Sequence, residues 1–160
     1  MRGGWVAVGL MLGSSLVAQQ GNLNAPAAKP KQYVSYAAEE QVVKAGKKSV
    51  VELRFRVTEG FHVNSHTPKS ELLIPTNLTL QPAGGVKAEP VQYPAGTEYS
   101  FSFEPGEKLD VYTGAFTVKV PVVVDAGSHT VDGVLRYQAC DNAACYPPKS
   151  LPVQVVLTAK

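Results

Sequence analysis

Cysteine is scarce in this chain: two residues among 160, Cys140 and Cys145, both late in the sequence. That excludes a small scaffold stapled by several bridges, and it excludes a four-cysteine zinc site. Long apolar runs are also missing. The uncharged stretch Trp5 to Ala18 is fourteen residues, short of the roughly 20 that a membrane-spanning helix needs. Charge of one sign is not in excess, with 15 Lys and Arg against 13 Asp and Glu. No basic block stands out, so a nucleic-acid-binding surface is not expected. Nor does any segment hold a 3.6-residue apolar period over ten residues, which removes long amphipathic helices. Hydrolase signals are absent too. Ser65-His66 are neighbours without an elbow motif, and no Gly-rich phosphate loop follows a strand into a helix.

What remains is an ordinary globular composition, 44% apolar and 18% charged, at the length of one domain. Fourteen Gly and twelve Pro favour many turns and short elements. The start of the chain reads as an export signal over residues 1–20: Met1-Arg2 gives the positive end and Trp5 to Ala18 the short apolar region. Residues 21–32 (GNLNAPAAKPKQ) lack periodicity and read as a flexible linker. The domain proper is expected over 33–160, in the periplasm or otherwise exported, with no membrane span after signal removal. An exported chain meets an oxidising compartment, where a disulfide can form.

From Tyr33 onward the pattern is β. Ser49 to Val57 alternates, with Val51, Leu53, Phe55 and Val57 on one face and Glu52, Arg54 and Arg56 on the other. Further strands are expected at Phe61 to Val63, Asn77 to Leu80, Val86 to Tyr93, Ala115 to Val124, Thr130 to Ala139 and Leu151 to Leu157. Pro121 directs its strand toward an edge or a bulge. Asp125 to Ser128 reads as a hairpin connection. Short strands punctuated in this way predict an all-β fold, an immunoglobulin-like antiparallel β-sandwich.

The chemical potential lies in Tyr137-Gln138-Ala139-Cys140-Asp141-Asn142-Ala143-Ala144-Cys145-Tyr146-Pro147-Pro148. Asp141 and Asn142 are turn formers, and four intervening residues let the cysteines face each other across a hairpin loop. Directly opposed residues have Cβ atoms roughly 4.5–5.5 Å apart, close to the roughly 3.5–4.5 Å of a disulfide. Closing so short a loop stabilises by only about 2 kcal/mol, against about 4.7 kcal/mol for a 100-residue loop. Two readings follow from spacing alone: a local hairpin staple, or a bridge that opens reversibly without unfolding the domain. A metal site drawing His62, His66 or His129 to the thiolates is a third, disfavoured because the four-residue spacing of His62 and His66 shares a face only on a helix. No metal and no cofactor is expected. No Lys, Arg or His lies between the cysteines, and Asp141 beside Cys140 tends to raise that thiol's pKa. A strongly activated thiolate is not advertised.

The cysteine segment, with its Tyr137-Gln138-Ala139-Cys140 and Cys145-Tyr146-Pro147-Pro148, resembles the N-terminal periplasmic domain of the DsbD family of thiol:disulfide interchange proteins. Glu59-Gly60-Phe61-His62-Val63, Pro90 to Gly96 and Asp110-Val111-Tyr112-Thr113-Gly114 match in the same order, over about residues 33–157. The resemblance implies an immunoglobulin-like sandwich and a thiol:disulfide oxidoreductase of the protein-disulfide reductase type, acting as an electron shuttle. It implies that Cys145 forms mixed disulfides with thioredoxin-like periplasmic partners and that Cys140 resolves them. It implies a cap loop at Asp110, Val111 and Tyr112, with Tyr137, Asp141 and Tyr146 near the active site. Electrons would come from a separate protein, such as a transmembrane thiol reductase. The competing reading is an exported, non-enzymatic protein-binding sandwich whose bridge pins a hairpin.

Overall fold

The computed structural model describes residues 31–81, 83–101 and 104–160. The expected export signal, 1–20, and residues 21–30 of the expected linker lie outside the described residues. Among the described residues there are twelve strands and no helix, hence no helix long and apolar enough to cross a membrane.

The strands form three four-stranded sheets. The first runs in the order β1 (Val34–Ala37), β3 (Lys48–Val57), β9 (Ala115–Val124), β6 (Val86–Ala88). The second runs β2 (Glu40–Val43), β12 (Lys149–Ala159), β10 (Gly127–Tyr137), β5 (Asn77–Leu80). The third runs β11 (Ala139–Cys140), β4 (His62–Asn64), β8 (Glu104–Tyr112), β7 (Thr97–Phe101).

Period-two alternation builds the core. Val51, Leu53, Phe55 and Val57 of β3 are buried, as are Phe116, Val118, Val120 and Val122 of β9. Opposite them stand Val131 and Leu135 of β10 with Val153, Val155 and Leu157 of β12, in one continuous core. Val51, Val120 and Val122 of the first sheet line the same narrow apolar space as Val131, Val155 and Leu157 of the second. Burying each such side chain is worth about 1.5–3 kcal/mol, so these two faces dominate the stability. The result is an immunoglobulin-like sandwich. At Gly133 a Cβ would stand 2.7 Å from the Leu80 side chain and 2.8 Å from the Thr79 carbonyl, so β5 approaches β10 where a side chain is missing.

The expected strands at 77–80 and 115–124 match β5 and β9, and those beginning near 49, 130 and 151 extend into β3, β10 and β12. Three expectations are corrected. Pro121 lies on an interior strand, opposite Val50 of β3. Its carbonyl accepts from Glu89 N, one residue beyond the end of β6, so the missing N–H faces a place where the ladder has already stopped. Residues 125–128 form no hairpin, because β9 and β10 belong to different sheets. The strand expected at 86–93 stops at Ala88, and Gln92 makes an isolated bridge to Lys119. Within the expected antiparallel sandwich, one pair, β2 with β12, runs parallel.

Candidate functional site

Where β11, β4 and the end of β8 meet, the third sheet is buried on both faces. On one, Val63, Tyr112 and Ala139 are directly paired neighbours and join the main core. Side chains alternate across a strand, so the next residues, His62, Val111 and Cys140, turn to the opposite face. Their pairings agree: Cys140 stands opposite His62, and Asn64 opposite Val111. Leu109, Val111 and Cys140 are at most 1% exposed yet stand apart from the main core.

Aromatic side chains of β7 lie against His62 on this second face. Thr97 pairs with Val111 and Tyr99 with Leu109, which puts the Tyr99 side chain on the Cys140 face. A register shift between Tyr99 and Phe101 marks a bulge, and bulges bend a strand. The Tyr99 ring lies 4.2 Å from the His62 ring and Phe101 lies 5.9 Å from it. The Tyr99 hydroxyl donates to Asn142 Oδ1 in the loop between the cysteines.

That loop is a four-residue hairpin. Cys140 and Cys145 bridge in antiparallel fashion and are joined by a disulfide, with Cα atoms 4.0 Å apart. Asp141 N donates to Ala144 O, and Tyr146 N to Ala139 O. Asp141 Oδ1 accepts from Ala143 N and Ala144 N, the Asx-turn geometry that makes Asp a turn former. The Tyr146 hydroxyl donates to Asp141 Oδ2. That bond, first, and the two backbone N–H groups hold the carboxyl below its usual range, and the same bond, first, pushes the Tyr146 phenol above its own. Gln138 ties the segment down: its amide donates to Tyr146 O, and its carbonyl accepts from Asn64 Nδ2 and Ile74 N.

The two cysteines differ in exposure. Cys140 is 0% exposed, whereas Cys145 is exposed at the end of the loop. Beside Cys145, the ring of Tyr146 stacks on Tyr33 at 5.2 Å, and Phe61 lies 4.6 Å from Tyr33. The ammonium groups of Lys31 and Lys149 stand over these rings.

Several expected site residues take other places. Asp110, Val111 and Tyr112 are not a loop but the end of β8, because Leu109 and Val111 bury on one face while Tyr112 buries on the other. Asp110 accepts from the Ser65 hydroxyl. Tyr112 stacks on Phe116 at 4.7 Å, and its hydroxyl donates to Pro94 O. Tyr137 lies in the main core, where its hydroxyl accepts from Tyr33 N and donates to Gln32. Burial raises its pKa. The histidines do not converge: His66 stacks on Tyr93, and His129 bonds Gly84 and Asp125 carbonyls. Only His62 lies at the disulfide. The aromatics Tyr99 and Phe101 were not anticipated. The alternation Tyr99-Ser100-Phe101 was the available signal.

Fold and site together define a class, a β-sandwich domain presenting a disulfide across a short, partly covered hairpin loop. The chain belongs to a family described as "Thiol:disulfide interchange protein DsbD, N-terminal", whose model matches residues 31–156. Among solved structures it is similar to the reduced DsbD N-terminal domain of Neisseria meningitidis, at 21% identity over 69% of this chain and 78% of that one, TM-score 0.44. It is similar to the N-terminal periplasmic domain of ScsB from Proteus mirabilis, at 14% identity over 75% of this chain and 44% of that one, TM-score 0.47. It is also similar to a chain in the complex of the DsbD and PilB N-terminal domains of Neisseria meningitidis, at 22% identity over 66% of this chain and 73% of that one, TM-score 0.44. No curated protein sequence matches it.

Proposed function

We propose that this domain passes electrons through a reversible Cys140–Cys145 disulfide to or from thioredoxin-like proteins. The observation that carries the reading is the contrast in access, with Cys145 exposed and Cys140 fully buried. A partner thiolate attacks the sulfur it can reach, forming a mixed disulfide on Cys145 and releasing Cys140. In the other direction Cys140 resolves that mixed disulfide. Tyr99 and Phe101 shield the buried sulfur, over a floor that includes Val111, while Asp141 and Tyr146 fix the loop. Tyr112 and Asp110 act further back, by holding β8 in place. Thioredoxin-like partners in the periplasm, supplied by a separate transmembrane thiol reductase, and export by an N-terminal signal complete the proposal.

The test is the reduction potential of the pair, read by thiol trapping in defined redox buffers. A value above about −250 mV with rapid exchange supports a working disulfide. One below about −300 mV with slow reduction of the native protein marks a staple and overturns the reading. A Cys140→Ser variant should also accumulate a mixed disulfide with a reducible thioredoxin-like protein.

A further inference from the structure

His62 carries a polar atom with nothing to bind. Its Nε2 is buried without a hydrogen-bond partner, one of two such side-chain atoms among the described residues, the other being Asn64 Oδ1. Buried polar groups are nearly always paired, and an exception calls for a reason. The reason lies in the neighbour. His62 is directly opposite Cys140 in the β4–β11 pair, both side chains are on the same face, and opposed residues have Cβ atoms about 4.5–5.5 Å apart. In the oxidised protein Cys140 has no hydrogen to offer. Reduction gives it one, in a place where the residue is 0% exposed and water is excluded.

We propose that His62 is the proton acceptor of Cys140. In the reduced protein, with the ring in its Nδ1–H form, Nε2 accepts the Cys140 S–H, and it takes that proton when a mixed disulfide on Cys145 is resolved. This rests on the reading of Cys140–Cys145 as a working redox pair. The steps balance as follows. The Cys145 thiolate attacks a partner disulfide; one partner sulfur leaves as thiolate, and the other stays bonded to Cys145. The Cys140 proton passes to Nε2 and the Cys140 sulfur attacks Cys145 Sγ. The Cys140–Cys145 bond forms, and the mixed-disulfide bond breaks with its electron pair on the partner sulfur. The imidazolium gives its proton to that departing thiolate or to water. Two electrons have reached the partner disulfide. The reverse sequence delivers the proton to Cys140 as it leaves, so the buried sulfur is never left as an unpaired anion.

The surroundings suit a base. Tyr99 and Phe101 face the ring from β7, Cys140 from β11, and the Asp141 carboxylate acts on it from the loop. Burial holds the imidazole below its ordinary pKa, against the opposing pull of Asp141, so the ring is neutral and able to accept near pH 7.

The test separates the two sulfurs. Reduced protein mixed with 5,5′-dithiobis(2-nitrobenzoic acid) releases one chromophore when Cys145 attacks and a second when Cys140 resolves. General-base assistance is worth roughly 100-fold or more, so His62→Asn and His62→Phe should slow the second release at least tenfold and leave the first within threefold. In the unsubstituted protein the second release should fall as pH drops through the imidazole titration, and this fall should vanish in both variants. A second release unchanged by either substitution overturns the role, as does an equal slowing of both releases, which would mark His62 as packing only. A measurement on the unsubstituted protein does not depend on variant folding. In its histidine ring ¹⁵N spectrum, reduction must shift the His62 Nε2 signal, and an unchanged signal overturns the proposal. A labile pair with an unaltered second release sinks His62 alone; a non-labile pair sinks the redox reading and this role with it.

Discussion

The covered sulfur should react far more slowly than the exposed one, and the structure sets the size of the difference. For a reagent to reach Cys140, Tyr99 and Phe101 of β7 must lift from the His62 ring. Lifting breaks the Tyr99–Asn142 hydrogen bond and the contacts of Tyr99 and Phe101 with the His62 ring. The hydrogen bond contributes about 1 kcal/mol, and each ring contact contributes about 1 kcal/mol. The exposed Lys69–Glu98 ion pair adds next to nothing. Opening therefore costs about 3 kcal/mol, a population near one in 150 by the rule that 1.4 kcal/mol is about tenfold. The perturbation is a pair of single-cysteine variants, Cys145→Ser and Cys140→Ser, both read by their rate with the same aromatic disulfide reagent at one pH. Cys140 should react on the order of a hundredfold more slowly than Cys145. Adding Tyr99→Ala to Cys145→Ser removes about 2 kcal/mol of that cover and should recover most of the rate. Equal rates within threefold would refute the cover. So would a Tyr99→Ala change with no effect.

Two further outcomes concern stability. Reducing the disulfide opens a loop whose cysteines are only five positions apart; it should lower unfolding stability by about 2 kcal/mol and leave the β-sheet circular dichroism signal intact, whereas unfolding on reduction would support a staple. Burial places the His62 pKa below its unfolded value, so the unfolded chain binds the extra proton first and stability falls as pH drops below about 6.5. Denaturant midpoints at pH 7 and pH 5.5 should show a smaller loss in His62→Asn than in the unsubstituted protein; equal losses would contradict the assignment of that proton to His62.

The sequence made part of this molecule legible because some of its determinants are local. Alternation at Val51, Leu53, Phe55 and Val57 requires a strand buried on one face, and nothing distant can change which face those side chains share. The cysteine loop is equally local: Asp141 and Asn142 turn the chain, and four intervening residues bring the sulfurs opposite each other. Residues 97–112 were another matter. A strand buried on both faces, with Leu109 and Val111 to one side and Tyr112 to the other, shows no clean alternation of apolar and polar residues. A loop was therefore expected at 110–112, where the end of β8 stands.

Strand order and adjacency were decided by tertiary structure alone. Pro121 is tolerated inside the first sheet because β6 ends one residue too early to need its N–H, a matter of where another strand stops. Residues 125–128 cross between sheets because β10 finds its partners in β12 and β5. The unpaired base belongs to the same category. No basic residue stands between Cys140 and Cys145 in the chain, yet β4 pairs with β11 and sets an imidazole against the buried sulfur. Sequence determined that there would be a disulfide loop on a β-sandwich. Long-range pairing of strands, which places side chains by register and not by proximity along the chain, decided which sulfur is buried, what covers it and which histidine stands beside it.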